Sequence, residues 1–131
     1  MRTTPQQTGR FGEDVAAQWL TEHGYVILDR NWRCSSPIRG EVDIIARDGS
    51  TLVFIEVKTR TTTHAGYPAE AVTPAKLVRL RQLTAAWLNQ ARLVIQQVRI
   101  DVISIVLNPA PTHSTATTGG PYIDHVKDVR L

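Results

Sequence analysis

The chain has 131 residues, of which 42% are hydrophobic and 21% charged, and its formal net charge is +3. This length can bury a single hydrophobic core, so we predict one domain over residues 1–131. No apolar run is long enough to cross a bilayer, and the first residues lack the apolar core of a signal peptide, so we expect a cytoplasmic location and no membrane partner. The single cysteine, Cys34, excludes an internal disulfide framework and a thiolate zinc cluster.

The first predicted element is a helix over residues 8–23. Apolar side chains recur at helical spacing from Phe11 to Leu20, and Gly24 suits the position after a helix C-terminus. Glu13 lies near the predicted start of this helix and off its apolar stripe. There its simplest role is a favourable interaction with the helix dipole, worth about 0.3–1 kcal/mol.

A first strand over residues 25–31 and a loop over 33–39 precede two β-branched apolar runs, which predict a hairpin over residues 40–60. Asp-Gly between the runs is a strong turn signal. If Asp48 and Gly49 form a two-residue loop, Asp43 lies opposite Phe54. A four-residue loop would instead place Asp43 opposite Glu56.

Either register leaves four charged side chains on one face, because side chains alternate along a strand. They are Glu41, Asp43, Glu56 and Lys58. One interpretation is a solvated polar face, which is common on antiparallel strands. However, Ile45, Leu52 and Phe54 share this face and predict a cover over it, and burying four charges without partners is costly. We therefore interpret this face as a candidate site, in which three carboxylates require a neutralising cation.

The hairpin is followed by a polar connection over residues 61–72, a candidate substrate-contacting loop. Thr73 and Pro74 then predict the start of a second helix, as N-cap and first helical residue. Lys76 and Arg79, three residues apart, project together from one face. The buried stripe of this helix is predicted at Leu77, Leu80, Thr84, Trp87 and Leu88.

Residues 98–107 are apolar on both faces apart from a few polar positions, and this pattern predicts a central strand. Its connection through a helix favours parallel pairing with the preceding strand by a right-handed crossover. Residues 108–121 are rich in Pro, Thr and Gly and predict a mobile loop, and residues 122–131 predict an edge strand. The order helix, three strands, helix, strand predicts an α/β core over about residues 8–107.

Asp43, followed on the next strand by Glu56-Val57-Lys58, resembles the D…(D/E)xK signature of the PD-(D/E)xK nuclease superfamily. This is the restriction-endonuclease-like fold, which includes Holliday-junction resolvases and tRNA-splicing endonucleases. Val42 stands where the superfamily usually has a proline. A closer resemblance, over most of residues 8–107, is to the YraN-like family of uncharacterised bacterial proteins. The matching blocks are residues 9–13, 25–28, 30–31, 40–43, 54–60, 76 and 99–101.

The resemblance implies a restriction-endonuclease-like fold, with a mixed central β-sheet flanked by helices and an αβββαβ core. It also implies a Mg²⁺ or Mn²⁺ ion held by Asp43, Glu56 and the main-chain carbonyl of Val57, and hard oxygen ligands do select these ions. Lys58 would act on the attacking water or on the charge that develops on the phosphate. Glu13 would belong to the catalytic site and bind a second ion or position the first, which is an alternative to its helix-dipole role.

In the same interpretation, Glu41 would hold Lys58 or another basic neighbour. The cations assigned to nucleic-acid contacts are Arg10, Arg60, Lys76 and Arg79. An acidic pocket with a basic rim suits a phosphodiester, because cations hold the backbone while carboxylates hold a metal.

The expected partner is nucleic acid, with DNA favoured over RNA. Because related resolvases act as dimers, a homodimer is also expected. Two alternatives from other classes stay open. One is a nucleic-acid-binding module that does not cleave, and the other is an interaction protein whose carboxylates are locked in salt bridges to arginines.

Overall fold

The computed structural model describes residues 4–61, 72–92, 97–108 and 120–130. Its elements are α1 (Pro5–Glu22), β1 (Val26–Cys34), β2 (Gly40–Asp48), β3 (Thr51–Arg60), α2 (Pro74–Ala91), β4 (Gln97–Val106) and β5 (Tyr122–Val126). The strands form one mixed sheet in the order β1-β2-β3-β4-β5, in which β3 and β4 are parallel and the other neighbours are antiparallel. This architecture confirms the α/β fold, and it is consistent with a restriction-endonuclease-like core.

Helix α1 begins at Pro5, three residues earlier than predicted, because Thr4 caps it. The Thr4 side chain accepts from the Gln7 amide, and the Gln7 side chain accepts from the Thr4 amide. Gly24 follows the helix with a φ of +87°, as its position predicted. Since the dipole acts mainly on the first turn, Glu13 lies too far along α1 for the helix-dipole role, and that interpretation is wrong.

The buried face of α1 is formed by Gly12, Ala16 and Leu20, whereas Phe11 is 54% exposed. The predicted stripe was therefore wrong at Phe11. The reason is a close approach of α1 to β3: a Cβ atom added to Gly12 would overlap the side chain of Thr59. A small residue here lets the helix lie directly on the sheet.

We expect Gly12→Ala to destabilise the fold by about 1–3 kcal/mol, because α1 must move away from Thr59. Gly9→Ala is the matched control on the same helix, since an added Cβ at Gly9 meets nothing within 4 Å. That control should be stabilising by about 0.5–1 kcal/mol. Urea denaturation of both variants measures the difference, and equal stabilities would contradict the close packing of α1 on β3.

Helix α2 covers the opposite side of the sheet. Thr73 caps it and Pro74 begins it, as predicted. The helix contributes Leu77, Leu80 and Leu83 to a core cluster that also contains the sheet residues Ile45, Leu52 and Phe54. This confirms that the hairpin face carrying those apolar residues is covered. The predicted stripe also holds, with Thr84 buried and Trp87 and Leu88 partly buried against the same core.

The hairpin turn consists of Gly49 and Ser50, because Asp48 already pairs with Thr51. Gly49 adopts a φ of +60°, which suits glycine. The suggested loop at Asp48-Gly49 is therefore wrong, and β2 and β3 have the register of the second alternative, with Ile44 opposite Ile55.

Strand β1 extends to Cys34, so the predicted loop begins later than expected. Cys34 itself is buried and pairs with Gly40. At the other end of the sheet, β4 lies between β3 and β5, which confirms the central strand and the edge strand, although β5 ends at Val126. Most of the predicted substrate-contacting loop and of the predicted mobile loop lies outside the described residues. Within the described ranges, neither helix is long and apolar enough to span a membrane.

Candidate metal and nucleic-acid site

Asp43 and Glu56 occupy the positions directly after the last pair of β2 with β3. The pairing runs from Asp48 and Thr51 to Ile44 and Ile55, and the next residue on each strand is one of these two carboxylates. Beyond that point the main-chain amide of Val57 donates to Oδ2 of Asp43 at 2.8 Å. The Asp43 carboxylate thus accepts a main-chain hydrogen bond from the strand that carries Glu56. This contact holds Asp43 next to Glu56.

Burial raises the pKa of the Asp43 carboxyl to about 7, and repulsion from Glu56 adds to this effect. Glu13 and Glu41 raise it further, while the hydrogen bond from Val57 acts in the opposite direction. The structure therefore brings Asp43 into electrostatic contact with all three other predicted carboxylates. Close carboxylates resist joint ionisation unless a cation lies between them.

Two lysines meet on one oxygen of Glu56. Lys58 Nζ lies 3.3 Å and Lys76 Nζ 3.5 Å from Oε1 of Glu56. The Glu56 side chain is only 15% exposed, whereas that of Lys76 is 45% exposed. Burial lowers the pKa of Lys58, and the nearby Lys76 adds to the decrease. Lys76 was predicted as a phosphate contact, and its position beside Glu56 was not anticipated.

Helix α1 brings Glu13 to the site. Its Oε1 atom is buried and has no hydrogen-bond partner among the described residues. Burial raises the pKa of Glu13, against the lowering effects of Asn31 and Arg30. A buried carboxylate oxygen without a donor is costly, so the position of Glu13 fits a group that interacts with a further cation or donor.

The remaining predicted residues are Glu41 and the cations that were assigned to phosphate contacts. Glu41 lies 3.9 Å from Arg33, a basic neighbour of the kind expected for it. Arg79 donates to the main-chain carbonyl of Arg39. Arg60 ends β3, and Arg10 is an exposed residue of α1. Of the four predicted phosphate-binding cations, Lys76 is the one with an ion pair to a site carboxylate in the described structure.

No group of three His, Cys, Asp or Glu side chains in the described ranges is arranged to hold a metal ion. The predicted ligand set has a different composition, with two carboxylates and the main-chain oxygen of Val57. Its donors are hard oxygens, which suit a divalent cation such as Mg²⁺. Such a cation would neutralise the mutual repulsion of Asp43 and Glu56.

A second charged cluster lies on the α1 side of the sheet, and the sequence analysis did not identify it. Its centre is Asp101, which is fully buried in β4. Arg99 Nε donates to one of its oxygens at 2.9 Å, and His125 Nε2 donates to the other at 2.8 Å. The main-chain amide of Asp128 donates at 2.9 Å. Burial alone would raise the pKa of Asp101, but these hydrogen bonds outweigh burial and lower it.

The cluster connects remote parts of the chain. Arg99 also donates to Asp48 at 3.0 Å and to the hydroxyl of Tyr25 at 2.6 Å, and Trp19 Nε1 donates to Nδ1 of His125 at 3.5 Å. The sequence contains one indication of this cluster, the charged residues inside an otherwise apolar strand. Their partners lie on α1, β2 and β5, and spacing along the chain does not reveal those contacts.

Asp43→Asn is expected to change how stability depends on pH. The folded pKa of Asp43, about 7, exceeds its ordinary value of 3.8, so the folded state binds the proton more tightly. The stability contributed by the protonated Asp43 carboxyl should therefore be fully present below about pH 4 and be lost as the pH rises through about 7. Asparagine cannot ionise, so at about pH 8 the variant should be more stable than wild type by on the order of 2–4 kcal/mol.

The measurement is urea denaturation across this pH range, with Glu22→Gln as a control at an exposed carboxyl of α1. The control should follow the wild-type curve. If the unfolding free energy of Asp43→Asn depends on pH in the same way as that of wild type, ionisation of Asp43 does not destabilise the fold.

The mixed sheet, its flanking helices and the carboxylates beside β2 and β3 define the structural class, an α/β protein consistent with a restriction-endonuclease-like core. The chain belongs to the uncharacterised protein family UPF0102, whose model matches residues 12–105. This confirms the YraN-like resemblance.

The relatives are of nearly the same length as this chain. A UPF0102 protein of Leifsonia xyli is 46% identical over 94% of this chain and 95% of its own length. One from Kineococcus radiotolerans is 48% identical over 92% and 91%, and one from Rhodococcus opacus is 46% identical over 92% of each. The family is uncharacterised, so the chemistry must be inferred from the site.

Proposed function

We propose that this protein is a metal-dependent nuclease that hydrolyses phosphodiester bonds of nucleic acid. The observation that carries the proposal is the position of Asp43 directly beside Glu56, where burial and mutual repulsion raise the pKa of Asp43 to about 7. A structural role would not require two carboxylates to repel each other in a half-buried position. A divalent cation between them relieves this repulsion.

The residues present fit Mg²⁺ or Mn²⁺ by their donor chemistry. Asp43, Glu56 and the carbonyl of Val57 would hold the ion, and the unpartnered Oε1 of Glu13 supports a role for Glu13 in positioning it. When bound, such an ion supplies Lewis-acid activation of the phosphate and of a water molecule. The chain itself supplies the placement of the donors, and in the free protein Lys58 and Lys76 neutralise part of the charge on Glu56.

Lys58 is the residue proposed to act on the reacting atoms. It lies two residues from Glu56 on β3 and contacts that carboxylate. From there it would orient or deprotonate the attacking water, or neutralise charge that develops on the phosphate oxygens. Arg10, Arg60, Lys76 and Arg79 would hold the backbone. The preference for DNA over RNA and the homodimer stay as expectations.

Ion pairs at Glu56 and Glu41 favour a second candidate, an interaction protein with a salt-bridged acidic face. Asp43 does not fit that candidate, because among the described residues it forms no ion pair and accepts instead from the Val57 amide.

Cleavage assays separate these functions. Labelled single-stranded, duplex and branched DNA and RNA should be incubated with Mg²⁺, with Mn²⁺ and with EDTA. Cleavage of one class only with metal supports the nuclease. Binding without cleavage supports the non-catalytic binding module, and neither activity supports the interaction protein.

The proposed phosphate contacts predict a specific dependence on salt. Each lost phosphate contact should reduce the slope of log K against log salt by about 0.7–0.9. The Lys76→Ala/Arg79→Ala double variant should therefore have a shallower slope than wild type in nucleic-acid binding measured by fluorescence anisotropy. An unchanged slope would exclude these two residues from the binding footprint.

A further inference from the structure

Lys76 is a cation at a position where a positive charge does not stabilise the helix. It is in the first turn of α2, where its amide donates to the Thr73 cap at 3.2 Å and where no acidic residue is present. Positive charge near a helix N-terminus is unfavourable, because the helix dipole is positive there. The anion that compensates Lys76 is on another element, at Oε1 of Glu56.

The two lysines on Glu56 are not equivalent. Lys58 belongs to the same strand as Glu56 and is two residues away on the same face, and its side chain is only 23% exposed. Lys76 comes from α2, its side chain is about half exposed, and only its ammonium group reaches Glu56. Of the two cations on this oxygen, Lys76 therefore has the more exposed side chain, and rotation of that side chain moves its ammonium group away from Glu56 with the smaller loss of buried contacts.

We propose that Lys76 exchanges one anion for another: it neutralises Glu56 in the free protein and transfers to a substrate phosphate when a divalent cation takes the carboxylate. This inference rests on the proposed function and deepens it, because it assigns Lys76 a role that links the two ligands. Since Lys76 competes with the cation for Glu56 and is released to the phosphate, each ligand strengthens the binding of the other.

Two opposite effects of Lys76→Ala follow. Without nucleic acid, the variant lacks the competing ammonium and should bind a divalent cation more tightly than wild type. With nucleic acid, it lacks the group that the cation releases, so the cation should strengthen nucleic-acid binding much less than in wild type. A residue that only contacted phosphate would produce neither change.

The experiment measures Mn²⁺ binding by calorimetry in the free protein, and duplex DNA binding by anisotropy with EDTA and with Ca²⁺. In wild type, Ca²⁺ should tighten DNA binding about tenfold, within the range typical of coupled sites. In Lys76→Ala, Mn²⁺ should bind several-fold more tightly, and the Ca²⁺ effect on DNA should fall to about twofold or less. Lys76→Arg should restore the coupling, because it keeps the charge.

Arg79→Ala is the matched control, one turn further along α2. Arg79 donates to the carbonyl of Arg39 and does not contact Glu56. It should lose DNA affinity in EDTA and in Ca²⁺ by the same factor and leave Mn²⁺ binding unchanged. If Lys76→Ala behaves like this control, or if it binds Mn²⁺ more weakly, the exchange is overturned while the nuclease proposal stands. Wild-type protein that binds neither Mn²⁺ nor Ca²⁺ overturns both.

Discussion

Lys58→Ala is expected to reduce the cleavage rate by about 10²–10⁴-fold while metal binding is retained. The substitution removes the ammonium group proposed to act at the water or the phosphate, and it leaves Asp43, Glu56 and the Val57 carbonyl in place. Single-turnover cleavage rates and Mn²⁺ calorimetry on the same preparation test the two parts of this expectation separately.

Asp43→Ala is the companion variant, and it should lose metal binding and cleavage together. It should still bind nucleic acid at least as tightly as wild type, because a negative charge facing the phosphate has been removed. Cleavage that survives Asp43→Ala at the wild-type rate would mean a contaminant or another active site. Equal losses of metal binding in both variants would instead remove the distinct role assigned to Lys58.

Asp101→Ala is expected to cost about 3–5 kcal/mol of folding free energy, because it leaves the Arg99 charge without its buried partner. His125 and the Asp128 amide lose an acceptor in the same step. The hydrogen bond from the Asp128 amide joins the segment after β5 to β4, so β5 and this segment should detach first. Urea denaturation gives the free energy, and hydrogen exchange at β5 locates the loss.

Asp14→Ala is the control for this prediction. Asp14 pairs with Arg30 at 2.7 Å, which is as short as any contact of Asp101, but both side chains are exposed. Exposed pairs contribute about 0–1 kcal/mol, so burial and not distance should decide the difference. Similar losses in the two variants would show that the Asp101 cluster does not stabilise the fold beyond an ordinary surface bridge.

Local patterns in the sequence were sufficient for most elements. Thr73 and Pro74 identified the start of α2, Gly24 identified the end of α1, and strand alternation placed the hairpin charges on the same face as apolar residues that α2 covers. These features depend on a few neighbouring residues and on fixed periods, so the chain itself contains the information. The start of α1 is also a local feature, the reciprocal pair Thr4 and Gln7, whereas apolar periodicity alone predicts a later start.

Other features depend on how the elements pack, and only the tertiary structure decided them. Phe11 and Gly12 are neighbours in the sequence, yet the close contact with Thr59 exposes one and buries the other. Lys76 contacts Glu56 from 20 positions along the chain, and His125 contacts Asp101 from 24 positions, and a separation in sequence does not give a distance in space. Sequence alone therefore determined the fold class and the candidate carboxylates. The packing of α1 and α2 on the sheet decided which cations meet them, because a side-chain contact depends on the separation of whole elements.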